Sequence, residues 1–435
     1  MLYALHNMPP SRRIFLGSLG GAAAGAFSAQ SDTGAGHRLP AQWQTSKDAA
    51  TGRTLRRLTT AKANSYPLYY FIPSVTGDGR YLIFHSERGG WVELYRLDMA
   101  EGGIVQLTEG RTRESGWAIW CEPHLRGVFN HLSALNLVRR EVYYFQDEEL
   151  RSTHVDSLEN RLVRKIDGRI PIGQSSFSPD GRLFAFVHAD RDLFRRAISD
   201  REALQNMGQF AGAGSHETWR NAVPCTIGLV DTETGAYRDA IRLDYHVHHV
   251  LFLDNRRLLV NHPKNDAGMW TVALDGTGYR WLRPRDAHGS IVHQVLTARG
   301  LFYEAVGQEQ GATRNWFGCY DPARDTHEEV LLPKLEGYVH TGWDPAGRFL
   351  FFEHHGQTHE LFSLHFPFVP ARTRVNRLRS MALYPRRGQR YHAHPFLSPD
   401  RKWAIYTEVV DGISQVSALD VRDLVDVNEY WDARG

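Results

Sequence analysis

The sequence predicts an all-β protein, a seven-bladed β-propeller with four-stranded antiparallel blades. Three observations predict it. From about residue 53 onward, apolar residues alternate with period two and favour β-branched and aromatic types, the pattern of half-buried strands. One unit then recurs: a strand, a turn near Asp-Gly-Arg, a strongly apolar strand, and a third strand ending in Leu/Val-Asp. The composition, with 39 Gly, 11 Trp, 18 Tyr and 21 Phe in 435 residues, suits short strands joined by tight turns.

The elements follow in order. Residues 1–30 read as an export signal of the twin-arginine type, with Arg12-Arg13 ahead of an uncharged, small-residue stretch ending near Ala29. The expected location is therefore periplasmic, or otherwise exported. Residues 31–50 read as a flexible linker and 51–430 as a single propeller domain. The repeat starts at Gly77-Asp78-Gly79-Arg80 and returns at Ser178-Pro179-Asp180-Gly181-Arg182. Weaker copies stand at Asp254, Arg299, Ala346 and Asp400. The spacings are 102, 74, 45, 47 and 54 residues. The first interval holds two units, the first of them with a poorly marked turn before Glu141-Val-Tyr-Tyr-Phe145. The interval of 74 holds one unit plus an insertion at about 190–221, read as short helices on a long connection. Seven units of about 45–50 residues result, the period of propeller blades. Thr51–Thr60 supplies a strand that closes the ring with the last blade.

Composition excludes several classes. Hydrophobic residues at 42% and charged residues at 23% are those of a folded globular chain. No apolar run is long enough for a membrane-spanning helix, so stable membrane insertion is not expected. Lys+Arg at 51 against Asp+Glu at 49 leaves a net charge of +2, without the basic stripe of a nucleic-acid binder. Cys121, Cys225 and Cys319 are too few and too scattered for a disulfide framework or a thiolate metal motif, and read as small buried residues. The oligomeric state is not legible.

The histidines carry more. Six residues before the turn marker, the last four blades place the same residue type: His248, His293, His340 and His394. In a propeller the first strand of each blade lines the channel. An even offset puts all four side chains on the same face of equivalent strands, so four successive blades would turn imidazoles into the channel. Histidines without that register, such as His154, His188 and His359, read as ordinary hydrogen-bonded residues. In the last blade His392 and His394 stand two apart, hence on one strand face, and Gln389 lies in the turn before them. His249, next to His248, should point to the opposite face. Two or three imidazoles and an amide oxygen suit Mn²⁺ or another borderline divalent cation. With no obvious carboxylate ligand, the cation's charge would be left for an anionic substrate.

These residues resemble the oligogalacturonate lyases, a family of seven-bladed propellers that cleave pectin fragments. The match is Gln389-x-x-His392-x-His394-Pro395 followed by Phe396-Leu-Ser-Pro-Asp400, joined by Ser290-Ile-Val-His293-Gln294 and Tyr245-His-Val-His248-His249. Gly268-Met269-Trp270-Thr-Val-Ala-Leu-Asp275-Gly276 is similar to the stretch between the latter two. The resemblance implies that His293, Gln389, His392 and His394 bind manganese and that His248 is the Brønsted base. The substrate would be an anionic oligosaccharide, cleaved by β-elimination to 4,5-unsaturated uronate products. His340 and Arg220 are expected to contact substrate, Arg220 standing in for the family's arginine because Thr226 occupies the expected basic position. The export signal departs from a family typically described as cytoplasmic. Two other readings remain open: a propeller lyase of another uronate glycan such as ulvan, and a non-catalytic propeller that binds sugars or proteins.

Overall fold

The computed structural model describes residues 34–110, 112, 126–129, 132–196, 223–245, 247, 249–261, 269–283, 290–309, 311–331, 340–355, 359–365, 376–381 and 389–425. The stretch read as an export signal, residues 1–30, lies outside them, as do Cys121, Arg220 and His248.

Seven antiparallel sheets follow one another along the chain. Blade 1 contains Ser65–Pro67, Tyr81–Ser86, Glu93–Asp98 and Ile104–Gln106; blade 2 contains Ala134–Asn136, Glu141–Gln146, Glu149–His154 and Asn160–Lys165. Blade 3 uses Ser176–Phe177, Leu183–Asp190, Cys225–Asp231 and Tyr237–Leu243, and blade 4 uses Val250–Phe252, Arg257–Asn261, Met269–Ala273 and Arg280–Arg283. Blade 5 is Ser290–Leu296, Leu301–Glu309, Ala312–Asp321 and Thr326–Leu331; blade 6 is Thr341–Trp343, Phe349–His355, His359–His365 and Asn376–Met381. Blade 7 takes Phe396–Leu397, Trp403–Val410 and Ile413–Asp420 from the C-terminal end and Thr54–Arg57 from the N-terminal end.

The recurring turn has a physical basis. At the junction of first and second strands, a short polar side chain accepts backbone N–H groups that the ladder leaves over. Asp78 Oδ1 accepts from Arg80 N (3.1 Å), Asp180 Oδ1 from Arg182 N (3.1 Å) and Asp400 Oδ1 from Lys402 N (3.2 Å). Each of these aspartates also accepts the hydroxyl two residues earlier, from Thr76, Ser178 or Ser398. Blade 2, whose marker is hardest to read in sequence, uses Asn136 Oδ1 for Val138 N and Arg139 N.

Blades stack face to face, so their second strands are covered on both sides and lose period-two alternation. Tyr81–Ser86 is buried at every position, whereas the outermost strand of blade 2, Asn160–Lys165, is largely exposed. Truncating a fully buried side chain such as Phe84 would cost about 3–5 kcal/mol.

The ring closes as expected, and with one strand more. Leu55 pairs with Leu419, Arg56 with Ala418 and Arg57 with Ser417. Residues 31–50, expected as a flexible linker, instead supply two edge strands: Arg38–Leu39 pairs with Val105 and Ile104 in blade 1, and Gln44–Lys47 pairs with Thr54–Arg57. Exposed, polar Gln44–Lys47 shows no apolar pattern, because an added edge strand is held by its backbone bonds and needs no buried face. Arg379 sews the seam, donating to buried Asp48 and Glu408 at 2.6 Å each. Blade 3 also gains a fifth strand, Arg169–Pro171. At the insertion, strand Leu183–Asp190 runs into helical residues 191–196, and 197–222 lie outside the described residues.

Candidate metal centre

Four of the histidines singled out by sequence come together. Ring centroids of His293 and His340 are 4.5 Å apart, those of His340 and His394 4.6 Å, and those of His340 and His392 4.4 Å. They come from blade 5, the entry to blade 6 and the entry to blade 7. His293, His340 and His394 are buried, and the His392 side chain is 14% exposed.

Local backbone explains the convergence. His293 sits at the irregularity in its strand between Val292 and Val295, with φ of +52°. His394, just before strand Phe396–Leu397, has φ of +41°. Left-handed backbone at a non-glycine residue costs about 1–2 kcal/mol and is typical of functional sites. His392 and His394 therefore do not share a strand face as expected: they follow the 3₁₀ turn Gln389–Tyr391 and stack with centroids 5.7 Å apart. Gln389 is in that turn as anticipated; its side chain is outside the described residues. Gly342 allows blades 6 and 7 to meet here, since a Cβ at that position would lie 1.4 Å from the Pro395 carbonyl oxygen.

Contrary to the carboxylate-poor site expected, two buried glutamates stand against these rings. His293 Nδ1 donates to Glu304 Oε2 at 2.6 Å, and Glu304 Oε1 accepts from Asn315 Nδ2. His340 Nδ1 and His392 Nδ1 both donate to Glu353 Oε1, the latter at 3.0 Å, and Glu353 Oε2 accepts Ala393 N at 2.6 Å. Both glutamates are 0% exposed. Ligand atoms of His340, Glu353 and His392 all lie within 4.8 Å of one another. The sequence signal for the glutamates is a charged residue inside an otherwise apolar second strand, in Leu301-Phe-Tyr-Glu304-Ala-Val and Phe349-Leu-Phe-Phe-Glu353. A carboxylate is not buried there without partners.

Blade 1 contributes an aromatic segment with no histidine register to reveal it. Tyr70 has its ring centroid 5.3 Å from that of His293, 6.2 Å from His340 and 5.8 Å from His394; Tyr69 lies 5.1 Å from His394. His249 also belongs to this group, 5.6 Å from Tyr69 and 5.2 Å from Phe71, and is buried. The expectation that it faces away fails because strand Val250–Phe252 starts one residue later, so alternation does not govern it. His249 sits instead in an isolated parallel bridge with Gln174. Burial, then the neighbouring His293 and His340, holds the His249 pKa well below the ordinary histidine value. Burial and next His392 do the same for His340, against the opposing pull of Glu353.

His188, read as an ordinary residue, is one: its Nε2 lies 2.7 Å from Tyr237 Oη and 3.2 Å from Arg169 Nη1, away from this group. Cys225 and Cys319 are buried free thiols.

The donor set of imidazole nitrogens and carboxylate oxygens suits a borderline divalent cation. Ionised carboxylates buried beside these rings place negative charge where a divalent cation can offset it.

No family model matches the chain. It is 21% identical over 409 residues to the oligogalacturonide lyase of Pectobacterium atrosepticum, covering 90% of this chain and 99% of that protein. It is 20% identical over 293 residues to the oligogalacturonate lyase of Dickeya dadantii, covering 66% and 69%. A solved oligogalacturonate lyase in complex with manganese superposes with a TM-score of 0.72 at 19% identity, covering 90% of this chain and all of that one. The chain is thus a seven-bladed propeller that resembles the oligogalacturonate lyases in sequence over 90% of its length and in fold.

Proposed function

We propose that the protein is a metal-dependent polysaccharide lyase that cleaves oligogalacturonides by β-elimination. The observation that carries this reading is the convergence of His293, His340, His392 and His394 beside two fully buried carboxylates. The names of the relatives, one of them solved with manganese, support it.

In this reading His293, Gln389, His392 and His394 hold a divalent cation, most simply Mn²⁺. His340, fully buried and fastened to Glu353, belongs with that group rather than with substrate. The bound cation supplies a Lewis acid for the uronate carboxylate and for charge that develops at C5. His248 removes the C5 proton as a neutral imidazole. The C5–H electrons become the C4=C5 double bond, the C4–O bond breaks, and the departing oxygen takes a proton from solvent. Arg220 contacts the anionic oligosaccharide. The products carry 4,5-unsaturated uronate ends, which absorb in the ultraviolet.

The test is absorbance of unsaturated product from a panel of short galacturonides, ulvan fragments and other uronides, with and without a chelator. Chelator-sensitive product from galacturonides is expected. Metal-loaded protein that gives no unsaturated product from any uronide sinks the lyase reading. Export belongs to the same proposal: replacing Arg12 and Arg13 with lysine should leave uncut precursor in the cytoplasm, and unchanged periplasmic recovery rejects that route.

A further inference from the structure

We propose that Glu353 and Glu304 are positioning residues that hold the imidazoles of His340, His392 and His293 in the Nδ1–H tautomer, so that Nε2 carries the lone pair and divalent-cation affinity depends on both carboxylates. This rests on the metal reading above and adds residues that neither the sequence motif nor the register of histidines identifies.

The tautomer follows from the acceptors. An ionised carboxylate only accepts hydrogen bonds. A ring whose Nδ1 meets Glu304 or Glu353 must therefore carry its proton on Nδ1, and a neutral ring then has its basic nitrogen at Nε2. Carboxylates behind metal-binding imidazoles act in this way in general, fixing ring orientation and raising ligand basicity. The arrangement occurs twice at equivalent places. In blade 5, Glu304 on the second strand, paired with Val292, meets His293 of the first. In blade 6, Glu353 N donates to the His340 carbonyl at 3.2 Å while its side chain takes His340 Nδ1.

Glu353 does more than Glu304. Its Oε1 accepts from two rings, one entering blade 6 and one entering blade 7, and its Oε2 accepts Ala393 N, beside His392 and His394. All three donors need acceptor oxygens on both sides of the side chain. A glutamine has one acceptor oxygen, so Glu353→Gln must turn an NH₂ group toward either the imidazole pair or Ala393 N. The substitution nearly preserves volume while breaking the hydrogen-bond pattern.

The experiment uses the full chain, first metal-free and then titrated with Mn²⁺ against a competing chelator. Imidazole ¹⁵N shifts of the metal-free wild type should show the Nδ1–H tautomer at His293, His340 and His392. Glu353→Gln should move His340 and His392 toward the other tautomer and leave His293 as it was. Glu304→Gln should do the reverse. Each variant should bind Mn²⁺ about 10–100-fold more weakly than wild type when affinity is referred to the folded fraction. A merely structural role would lower the unfolding temperature without moving either readout. Should Glu353→Gln fail to fold, Glu304→Gln carries the same test on one ring. Folded variants with wild-type tautomers and wild-type Mn²⁺ affinity overturn this proposal and leave the metal reading standing. A wild type that binds no divalent cation overturns the metal reading and this proposal with it.

Discussion

The rings of His293 and His340 lie 4.5 Å apart, centroid to centroid, although one belongs to blade 5 and the other enters blade 6. The first strands of blades 5 and 6, Ser290–Leu296 and Thr341–Trp343, lie against each other and bring these two residues together. Protein purified without a histidine tag should carry about one divalent ion per chain, measured by elemental analysis. Changing His392→Ala and His394→Ala together should remove it. Stripping the ion from wild type should lower the unfolding temperature, since a ligand of the folded state stabilises it by mass action. Full metal retention by the double variant would reject the site.

The proton-abstraction step is tested at two adjacent histidines. His248→Ala should keep the metal and the binding of short galacturonides while turnover falls by about 10² to 10⁴, the usual worth of a general base. Because His249 is buried with its ring against Tyr69 and Phe71, His249→Ala is not a silent control. It should lower stability while turnover per folded molecule stays within a few-fold. The comparison is kcat with the folded fraction for both variants, and normal turnover in folded His248→Ala ends the proposed step.

Backbone strain at His394 is separable from its side chain. With φ of +41°, any residue bearing a Cβ is disfavoured there. His394→Gly and His394→Ala both lose the ring, yet the glycine variant should be the more stable by about 1 kcal/mol in denaturant unfolding. An alanine variant equal to or more stable than the glycine one would show that this backbone is left-handed only when the imidazole is present.

Stability should fall in acid through two further buried histidines, His85 and His188. Burial depresses His85 to about 3 and His188 to about 4 from an ordinary 6.5. Both are neutral in the folded protein at pH 7, whereas the unfolded chain begins to bind their protons near 6.5. Their contribution is therefore whole above about 6.5 and is lost as pH falls from there toward 4 and then 3. For His85 alone the loss at pH 4.5 is on the order of 2–3 kcal/mol. His85→Gln should be less stable than wild type at pH 7 and show a shallower decline between pH 6.5 and 4 in thermal unfolding. An unchanged slope would contradict the assignment.

The blade count, the closing strand and the histidine register were legible in the sequence because each is a local or periodic property. Asp78, Asp180 and Asp400 mark turns through hydrogen bonds made within a few residues. Leu55 alternates with its neighbours as a closing strand should. His293, His340 and His394 stand six residues before the turn markers Arg299, Ala346 and Asp400. Tertiary structure alone decided what depends on another blade. Arg38–Leu39 and Gln44–Lys47 become strands only because an edge is there to pair with, so their own side chains carry no signal. Glu353 stands out in sequence as a charge in an apolar strand, but its partner from the next blade is set only when the bend at Gln389–Tyr391 brings His392 onto the oxygen already taken by His340. Tyr70 reaches His293, His340 and His394 from blade 1, hundreds of residues away. His249 turns inward because an inter-blade bridge, rather than strand alternation, fixes its backbone. Periodicity within a chain encodes the blades; closing them into a ring creates the contacts between them, and the site is made of those contacts.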